Sequence, residues 1–217
     1  MSRSDDSRDA GSAGPHPRFV LYVEGPRDRD ILRIWARRVS FRLGRSVASS
    51  CVILGGRQPA RALEHFRALG GGRSGLRGVC VLDRDGRDAG SPEAGEPGLE
   101  FFTWPRRHIE SYLLVPRAIA RCLGVSRDDW LVRRLLDEHL SDEHDEEALR
   151  ELDAKRLLSA NGPISQGLGK QLRASRIAKT MQEGEIHDDV WQLLGLLSRG
   201  LGLVDPSSDP VRIRLAR

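Results

Sequence analysis

The chain has no long apolar run, few aromatic residues and few cysteines. Aromatic residues make up 5% of its 217 positions. No apolar run approaches the roughly 18 residues that a membrane-spanning helix needs, so we expect no membrane partner. Residues 1–17 are polar and lack the apolar core of a secretory signal. We therefore expect a disordered tail over 1–17 and a cytoplasmic protein.

The three cysteines are Cys51, Cys80 and Cys122, which are widely separated and set among apolar residues. This pattern is typical of reduced, buried thiols in a cytosolic protein. Three scattered cysteines also cannot supply the ligands of a structural zinc module.

Lysine is scarce, and the basic residues are unevenly distributed. Only three of the 35 basic residues are lysines, at 155, 170 and 179. Residues 18–79 contain thirteen arginines against four acids, whereas residues 136–153 contain nine acids against Arg150 alone. Such a basic half suits a polyanionic partner such as nucleic acid. A compositional bias towards arginine is the alternative.

The pattern of apolar residues predicts an α/β fold. Strands expected at 18–24, 50–54 and 78–83 alternate with helices at 27–43 and from Pro59. Short β-α-β connections are typical of a parallel sheet with right-handed crossovers. A fourth strand is expected at 99–103, followed by a short helical turn within 105–114. Further helices are expected at 116–123, 127–140, 145–158, 168–182 and 187–200.

We divide the chain into an α/β core over 18–115, a helical extension over 116–200 and a C-terminal tail over 201–217. The segment 211–217 alternates apolar and basic residues. That alternation fits a short edge strand as well as a frayed tail.

Acidic residues follow two of the predicted strands. Glu24 ends the first strand, with Asp28 about one helical turn beyond it, and Asp83 and Asp85 follow the third. Parallel strands bring their carboxyl ends to one edge of a sheet, so we expect Glu24, Asp83 and Asp85 within about 5 Å of one another. Carboxylate oxygens are the ligands that Mg²⁺ and Mn²⁺ prefer. An acid that only begins a turn is the alternative.

Several segments resemble a known family. V-E-G at 23–25 followed by Asp28, and V-L-D-R-D at 81–85, resemble the Toprim domain of topoisomerases, primases and several nucleases. R-H-I-E-S-Y-L-L at 107–114 is similar to the R-x-I-E-N-Y-L-L segment of overcoming-lysogenization-defect (OLD) nucleases and their small phage-defence relatives, with Ser111 in place of the usual Asn. The segments 153–158, 177–181 and 186–190 resemble later helices of the same Toprim part. The resemblance covers about residues 18–197.

The resemblance implies a Rossmann-like parallel sheet of about four strands, flanked by helices and followed by a helical C-terminal extension. It also implies a nuclease that cleaves DNA or RNA with two Mg²⁺ or Mn²⁺ ions. The acids that would hold the first ion are Glu24, Asp83 and Asp85. Asp28 and Glu110 would assist with the second ion, and Lys155 would stabilise negative charge on the phosphate.

Six arginines fall at predicted strand ends or in the adjoining loops: Arg27, Arg29, Arg57, Arg84, Arg106 and Arg107. We expect them to contact the phosphates of nucleic acid, with DNA favoured over RNA. The acidic helices after residue 136 are alternative partners for Arg106 and Arg107. A homo-oligomer is a further expectation.

OLD proteins carry an ATPase ahead of the Toprim part. This chain contains no G-x-x-x-x-G-K-[ST] motif. The resemblance therefore implies a separately encoded ABC-type ATPase as a partner.

Other functions fit the same residues. A Toprim protein can bind nucleic acid or serve as a scaffold without cleaving, and this alternative stays open. V-L-D-R-D-G at 81–86 also resembles the first motif of haloacid-dehalogenase phosphatases, in which Asp83 would be the nucleophile; that family usually begins with this strand, whereas two strands precede it here. Topoisomerase activity is disfavoured because both tyrosines, Tyr22 and Tyr112, lie in apolar segments. Zinc deaminases are disfavoured because no P-C-x-x-C follows His108-x-Glu110.

Overall fold

A computed structural model describes residues 18–84, 95–126, 129–139 and 146–206. Its sheet has four parallel strands in the order β2-β1-β3-β4. The strands are β1 (Phe19–Val23), β2 (Cys51–Ile53), β3 (Arg77–Leu82) and β4 (Leu99–Thr103). The fold is thus a Rossmann-like α/β arrangement, as the sequence predicted, with β1 and β3 at its centre.

Helices lie on both sides of the sheet and make up most of the chain after β4. They are α1 (Pro26–Val39), α2 (Phe41–Ser49), α3 (Pro59–Ala68), α4 (Pro116–Leu123), α5 (Trp130–Asp137), α6 (Glu146–Glu151), α7 (Ala154–Leu157), α8 (Pro163–Gly167), α9 (Ala174–Thr180) and α10 (Asp188–Gly200). Three short 3₁₀ helices lie at Gly72–Ser74, Ile109–Leu113 and Glu183–Glu185. In the described part of the chain, no helix is long and apolar enough to cross a membrane.

The two faces of the sheet pack against different helices, because successive residues of a strand point to opposite sides. Val20 and Tyr22 of β1 pack with Phe66 of α3 on one face. Leu21 and Val23 belong to a larger cluster on the other face, which includes α1, α2 and most of the later helices. The helices after β4 therefore share a core with the sheet.

The helix predicted over 27–43 is two helices. Ser40 has an extended backbone, with φ −159° and ψ 150°. Its hydroxyl accepts a hydrogen bond of 3.0 Å from the backbone N–H of Leu43, which makes it the N-cap of α2. Serine is among the preferred N-cap residues, so the chain ends one helix and begins the next here.

Two later helices were also predicted wrongly. The helix expected over 145–158 stops at Glu151, and α7 begins after Asp153, whose carboxylate accepts a hydrogen bond of 2.9 Å from Arg156 N. The helix expected over 168–182 begins only at Ala174, because Gly169 takes a left-handed backbone with φ +60° and ends the preceding turn. Glycine adopts that conformation at little cost, so it often ends a helix.

Candidate active site

Glu24 and Asp83 directly follow neighbouring parallel strands, β1 and β3. The Glu24 carboxylate Oε1 accepts a hydrogen bond of 2.8 Å from the backbone N–H of Asp83. Both residues are buried, at 9% and 2% exposure. The structure therefore brings these two acids together at the carboxyl edge of the sheet. Asp85, predicted as the third acid, lies outside the described residues.

The Asp83 carboxylate has two different partners. Its Oδ1 accepts a hydrogen bond of 3.3 Å from Ile109 N, and its Oδ2 forms an ion pair with Lys155 Nζ. Lys155 lies in α7, 72 residues further along the chain than Asp83, so the two residues meet only in the folded protein. Burial lowers the pKa of Lys155, but the carboxylates of Asp83, Glu110 and Asp28 outweigh burial and leave that pKa raised. Lys155 is therefore a cation at neutral pH.

Asp28 lies in the first turn of α1 and is 7% exposed. Its Oδ2 accepts a hydrogen bond of 2.8 Å from Gly25 N. Burial, followed by the negative charges of Asp83 and Glu110, raises the pKa of Asp28 to about 7. Asp28 is therefore close enough to Asp83 and Glu110 for their negative charges to repel its own.

Glu110 lies in the 3₁₀ helix Ile109–Leu113 and is fully buried. Its Oε1 accepts a hydrogen bond of 3.1 Å from Arg27 Nη1, a side chain that is 55% exposed. Its Oε2 has no hydrogen-bond partner among the residues that the structure describes. Leaving a buried carboxylate oxygen without a donor is unfavourable, so this oxygen marks a place for a cation or a donor.

The chemistry of these side chains fits a hard divalent cation such as Mg²⁺ or Mn²⁺. The ligands would all be carboxylate oxygens, the mutual repulsion of the acids would be relieved, and the free oxygen of Glu110 would gain a partner. Within the described ranges, no three His, Cys, Asp or Glu side chains are already gathered into a metal-binding group. The Lys155 ammonium supplies the positive charge beside Asp83.

Four of the six predicted phosphate-binding arginines lie at or near this edge. Arg27 pairs with Glu110, and Arg57 donates to the backbone carbonyl of Asp83. Arg84 donates to Pro105 O at 3.3 Å, and its side chain is 33% exposed. Arg29 pairs with its neighbour Asp30 at 3.1 Å, and its side chain is 39% exposed. Each of the four side chains is exposed or half-buried, so a phosphate could reach its guanidinium group.

Arg106 is a correction to the predicted set. It is 8% exposed, and its guanidinium donates to the Glu146 carboxylate at 2.5 and 3.2 Å and to Ser111 O at 3.2 Å. Because the guanidinium is buried between Glu146 and the Tyr112 ring, with Cζ 4.9 Å from the ring centroid, it is not presented to nucleic acid. Arg107 donates to Glu151 O at 3.2 Å. The acidic helices after residue 136 are thus the partners of both arginines.

Two features of the site were missed from sequence. His108 is 5% exposed, and burial together with Lys155 lowers its pKa, which favours the neutral imidazole. Tyr112 donates from its hydroxyl to Asp189 Oδ2 at 2.7 Å and accepts from Arg106 N at 3.2 Å. The tyrosine fixes the 3₁₀ helix that carries Glu110. The H-D-D run at 187–189 was the only sequence feature that drew attention to Asp189, and that run did not indicate that Asp189 contacts Tyr112.

The edge of the sheet thus combines buried carboxylates with the basic side chains of Lys155, Arg27 and Arg57. Carboxylates of this kind can hold divalent cations, and the basic groups can contact phosphate oxygens. Comparisons of the chain with family models, with curated proteins and with solved structures found no match.

Proposed function

We propose that the protein is a metal-dependent phosphodiesterase, a nuclease of the OLD-like Toprim type that cleaves DNA or RNA. The observation that carries the proposal is the meeting of Glu24, Asp83 and Lys155 at one edge of the sheet. These residues come from three separate segments of the chain. The two acids were expected to meet because each ends a strand of a parallel sheet, and Lys155 was selected by the family resemblance. A chance set of three such residues would be scattered over the surface.

The carboxylates divide into two groups. Glu24 and Asp83, with Asp85 from outside the described residues, would hold one Mg²⁺ or Mn²⁺ ion, and Asp28 and Glu110 would lie beside the second. When bound, two such ions activate an attacking water and offset the charge on the leaving oxygen.

Lys155 and Arg27 are placed to hold the substrate phosphate. The Lys155 side chain is 38% exposed, and Asp83 is its one ion-pair partner among the described residues, so its ammonium can also donate to a phosphate oxygen above the acids. The Arg27 side chain is 55% exposed and pairs with Glu110 from the solvent side. Both cations would reduce repulsion between the carboxylates and an approaching polyanion.

A non-catalytic Toprim subunit is the second candidate. It is favoured by the Lys155–Asp83 ion pair, which neutralises that carboxylate without a metal ion. In such a protein the same edge would bind nucleic acid or a partner without cleaving. A separately encoded ABC-type ATPase remains a proposed partner in either case, on the strength of the family resemblance alone.

Cleavage assays on the purified full chain separate the two candidates. Labelled duplex DNA, single-stranded DNA and RNA are incubated with Mn²⁺, with Mg²⁺ and with EDTA. We expect metal-dependent cleavage that Asp83→Ala removes without loss of fold by circular dichroism. Asp30→Ala is the matched control, because Asp30 is a half-buried acid that pairs with Arg29 and is not one of the proposed metal ligands. Cleavage that persists in the Asp83 variant contradicts the proposal, and binding without cleavage in the wild type assigns the second candidate.

A further inference from the structure

A second basic surface lies on α1 and α2. Arg29, Arg33 and Arg37 are four residues apart on α1 and so share one face of the helix. Phe41 and Arg45 continue the same spacing on α2. We name these five residues the arginine stripe.

Arg29 of the stripe pairs with Asp30, but its other three arginines carry positive charge that no carboxylate among the described residues neutralises. Residues 31–63 contain no Asp or Glu. Arg33, Arg37 and Arg45 are exposed, and none of them pairs with a carboxylate among the described residues. The nearby Arg42 is exposed as well, and Arg38 is held by the Lys179 carbonyl at 2.5 Å. Such a local excess of charge attracts a polyanion.

An exposed aromatic ring lies within the same surface. Phe41 is 61% exposed, and the guanidinium carbons of Arg37 and Arg45 lie 5.5 and 5.0 Å from its ring centroid. A close approach of the two helices creates this grouping: a Cβ at Gly44 of α2 would lie 2.9 Å from Arg37 Cα. The absence of a side chain at Gly44 therefore brings the Arg37 backbone against α2, so that its guanidinium reaches Phe41.

This combination fits nucleic acid better than an apolar protein surface. An apolar partner would bury the guanidinium groups without counter-charges, which is costly. A nucleic acid offers phosphates to the arginines and a base to stack on the ring. The ring is 61% exposed, so an unpaired base can reach it from solvent.

We propose that the arginine stripe binds the part of a single-stranded nucleic acid that leads away from the candidate active site. The arginine stripe begins at Arg29, next to Asp28 of the candidate active site. Arg37 is about 12 Å further along the helix than Arg29, at ~1.5 Å per residue. Phosphates would contact Arg33, Arg37 and Arg45, and one base would stack on Phe41. This inference deepens the proposed function, since the same strand would enter the acid site.

Binding is measured by fluorescence anisotropy with a labelled single-stranded oligonucleotide in EDTA, where cleavage does not contribute. For Arg33→Gln/Arg45→Gln we expect about tenfold or greater loss of affinity and a salt slope smaller by ~1.4, since each lost phosphate contact removes ~0.7 for single strands. For Phe41→Ala we expect about fivefold or greater loss with the salt slope unchanged, because stacking involves no counterion release.

The matched control is Arg67→Gln/Arg134→Gln. It removes the same two charges from exposed arginines of α3 and α5 that already have carboxylate partners, Glu96 and Glu138. We expect this variant to keep wild-type affinity and salt slope. Equal losses in the stripe variant and the control overturn the inference, as does a wild-type protein that binds no oligonucleotide.

The outcome is distinguishable from that of the proposed function. Wild-type binding that the stripe variants lose, in a protein that cleaves nothing with Mn²⁺, keeps the inference and rejects the nuclease. Metal-dependent cleavage with unaltered binding in the stripe variants keeps the nuclease and rejects the inference. A concentration-dependent dimer that Phe41→Ala dissociates, with oligonucleotide binding unaltered, assigns the surface to contact between copies and also overturns the inference.

Discussion

At the scale of single residues, Asp28 has a pKa raised to about 7 by burial and by the negative charges of the neighbouring acids. The folded-state pKa lies above the ordinary value of 3.8, so between these values the folded protein holds a proton that the unfolded chain has lost. Stability from this group is therefore fully present below about pH 4 and is lost as pH rises towards about 7.

The first prediction follows from that sign. Asp28→Asn keeps an oxygen to accept from Gly25 N and removes the charge. In metal-free protein it should raise the free energy of unfolding at pH 8 by on the order of 2 kcal/mol and flatten the decline between pH 4 and 7. Urea unfolding across pH 4–8 checks this, with Asp30→Asn as the control at a half-buried acid of the same helix. Parallel curves for the Asp28 variant and the wild type would show that Asp28 is not repelled.

Lys155 carries the second prediction. If its ammonium stabilises charge on the phosphate in the transition state, Lys155→Ala should lower turnover by roughly a hundredfold or more. Lys155→Arg should rescue only part of the loss, because a planar guanidinium does not fit where a compact ammonium pairs with Asp83. Single-turnover rates measure both. Lys170→Ala, an exposed lysine of the same chain, is the control, and wild-type rates in the Lys155 variants would assign that residue to the surface.

The residues of the site differ in how far sequence could place them. Glu24 and Asp83 were predictable as neighbours because each ends an apolar strand of a parallel sheet. Lys155 was predictable only through the family resemblance, since nothing local links α7 to β3. Arg106 was misplaced, because its partner Glu146 lies forty residues along the chain and only the folded structure brings them together.

Among the elements, the 3₁₀ helix Ile109–Leu113 links the acid site to the helices after β4. It carries Glu110 towards the acids and Tyr112 towards α10, where the hydroxyl donates to Asp189 at 2.7 Å. The Tyr112 hydroxyl is buried and satisfies two groups, Asp189 Oδ2 and Arg106 N. This element therefore depends on a hydrogen-bond network that includes none of the proposed metal ligands.

The third prediction tests this element. Tyr112→Phe should lower the free energy of unfolding by about 1–3 kcal/mol, because the buried Arg106 N–H loses its tyrosine acceptor and Asp189 Oδ2 loses one of its donors, keeping only the contact with His187 Nδ1 at 3.3 Å among the described residues. Asp189→Asn should cost less when added to Tyr112→Phe than when made alone, since the two residues share one interaction. Urea unfolding of the two single variants and the double variant gives the coupling. Strictly additive effects would contradict a direct bond between the two side chains.

The strands were predicted to within about one residue, because buried apolar runs that end in glycine or acid are unambiguous. The helices were predicted less well. Ser40 and Asp153 each cap a new helix inside a stretch whose apolar periodicity continues, so periodicity alone joined what the caps separate. The caps are visible in the sequence, but the same residues are also common on exposed helix faces.

At the scale of the whole molecule, the arginines fall into two groups, those that pair with acids of the same chain and those that are exposed to solvent. Part of the acidic segment pairs with arginines that follow the basic half: Glu146 pairs with Arg106, and Glu151 lies 3.9 Å from Arg84. Arg33, Arg37 and Arg45 of α1 and α2 have no such carboxylate partners in the described part of the chain and are exposed to solvent. Only the first arginines of α1 pair with acids, Arg27 with Glu110 and Arg29 with Asp30, among the described residues. Composition predicted a polyanionic partner. Only the fold distinguishes the arginines that form ion pairs within the chain from those that are exposed and available to such a partner.

The central claim is that the acids at the carboxyl edge of the sheet hold divalent cations. Titration of the purified chain with Mn²⁺, followed by the electron paramagnetic resonance signal of the unbound ion, tests it most directly. We expect the wild type to bind about two ions per chain, consistent with a two-metal site, and Asp83→Ala to lose at least one of them while keeping its fold. Mn²⁺ binding that is identical in the wild type and the Asp83 variant, or absent from both, would contradict the claim.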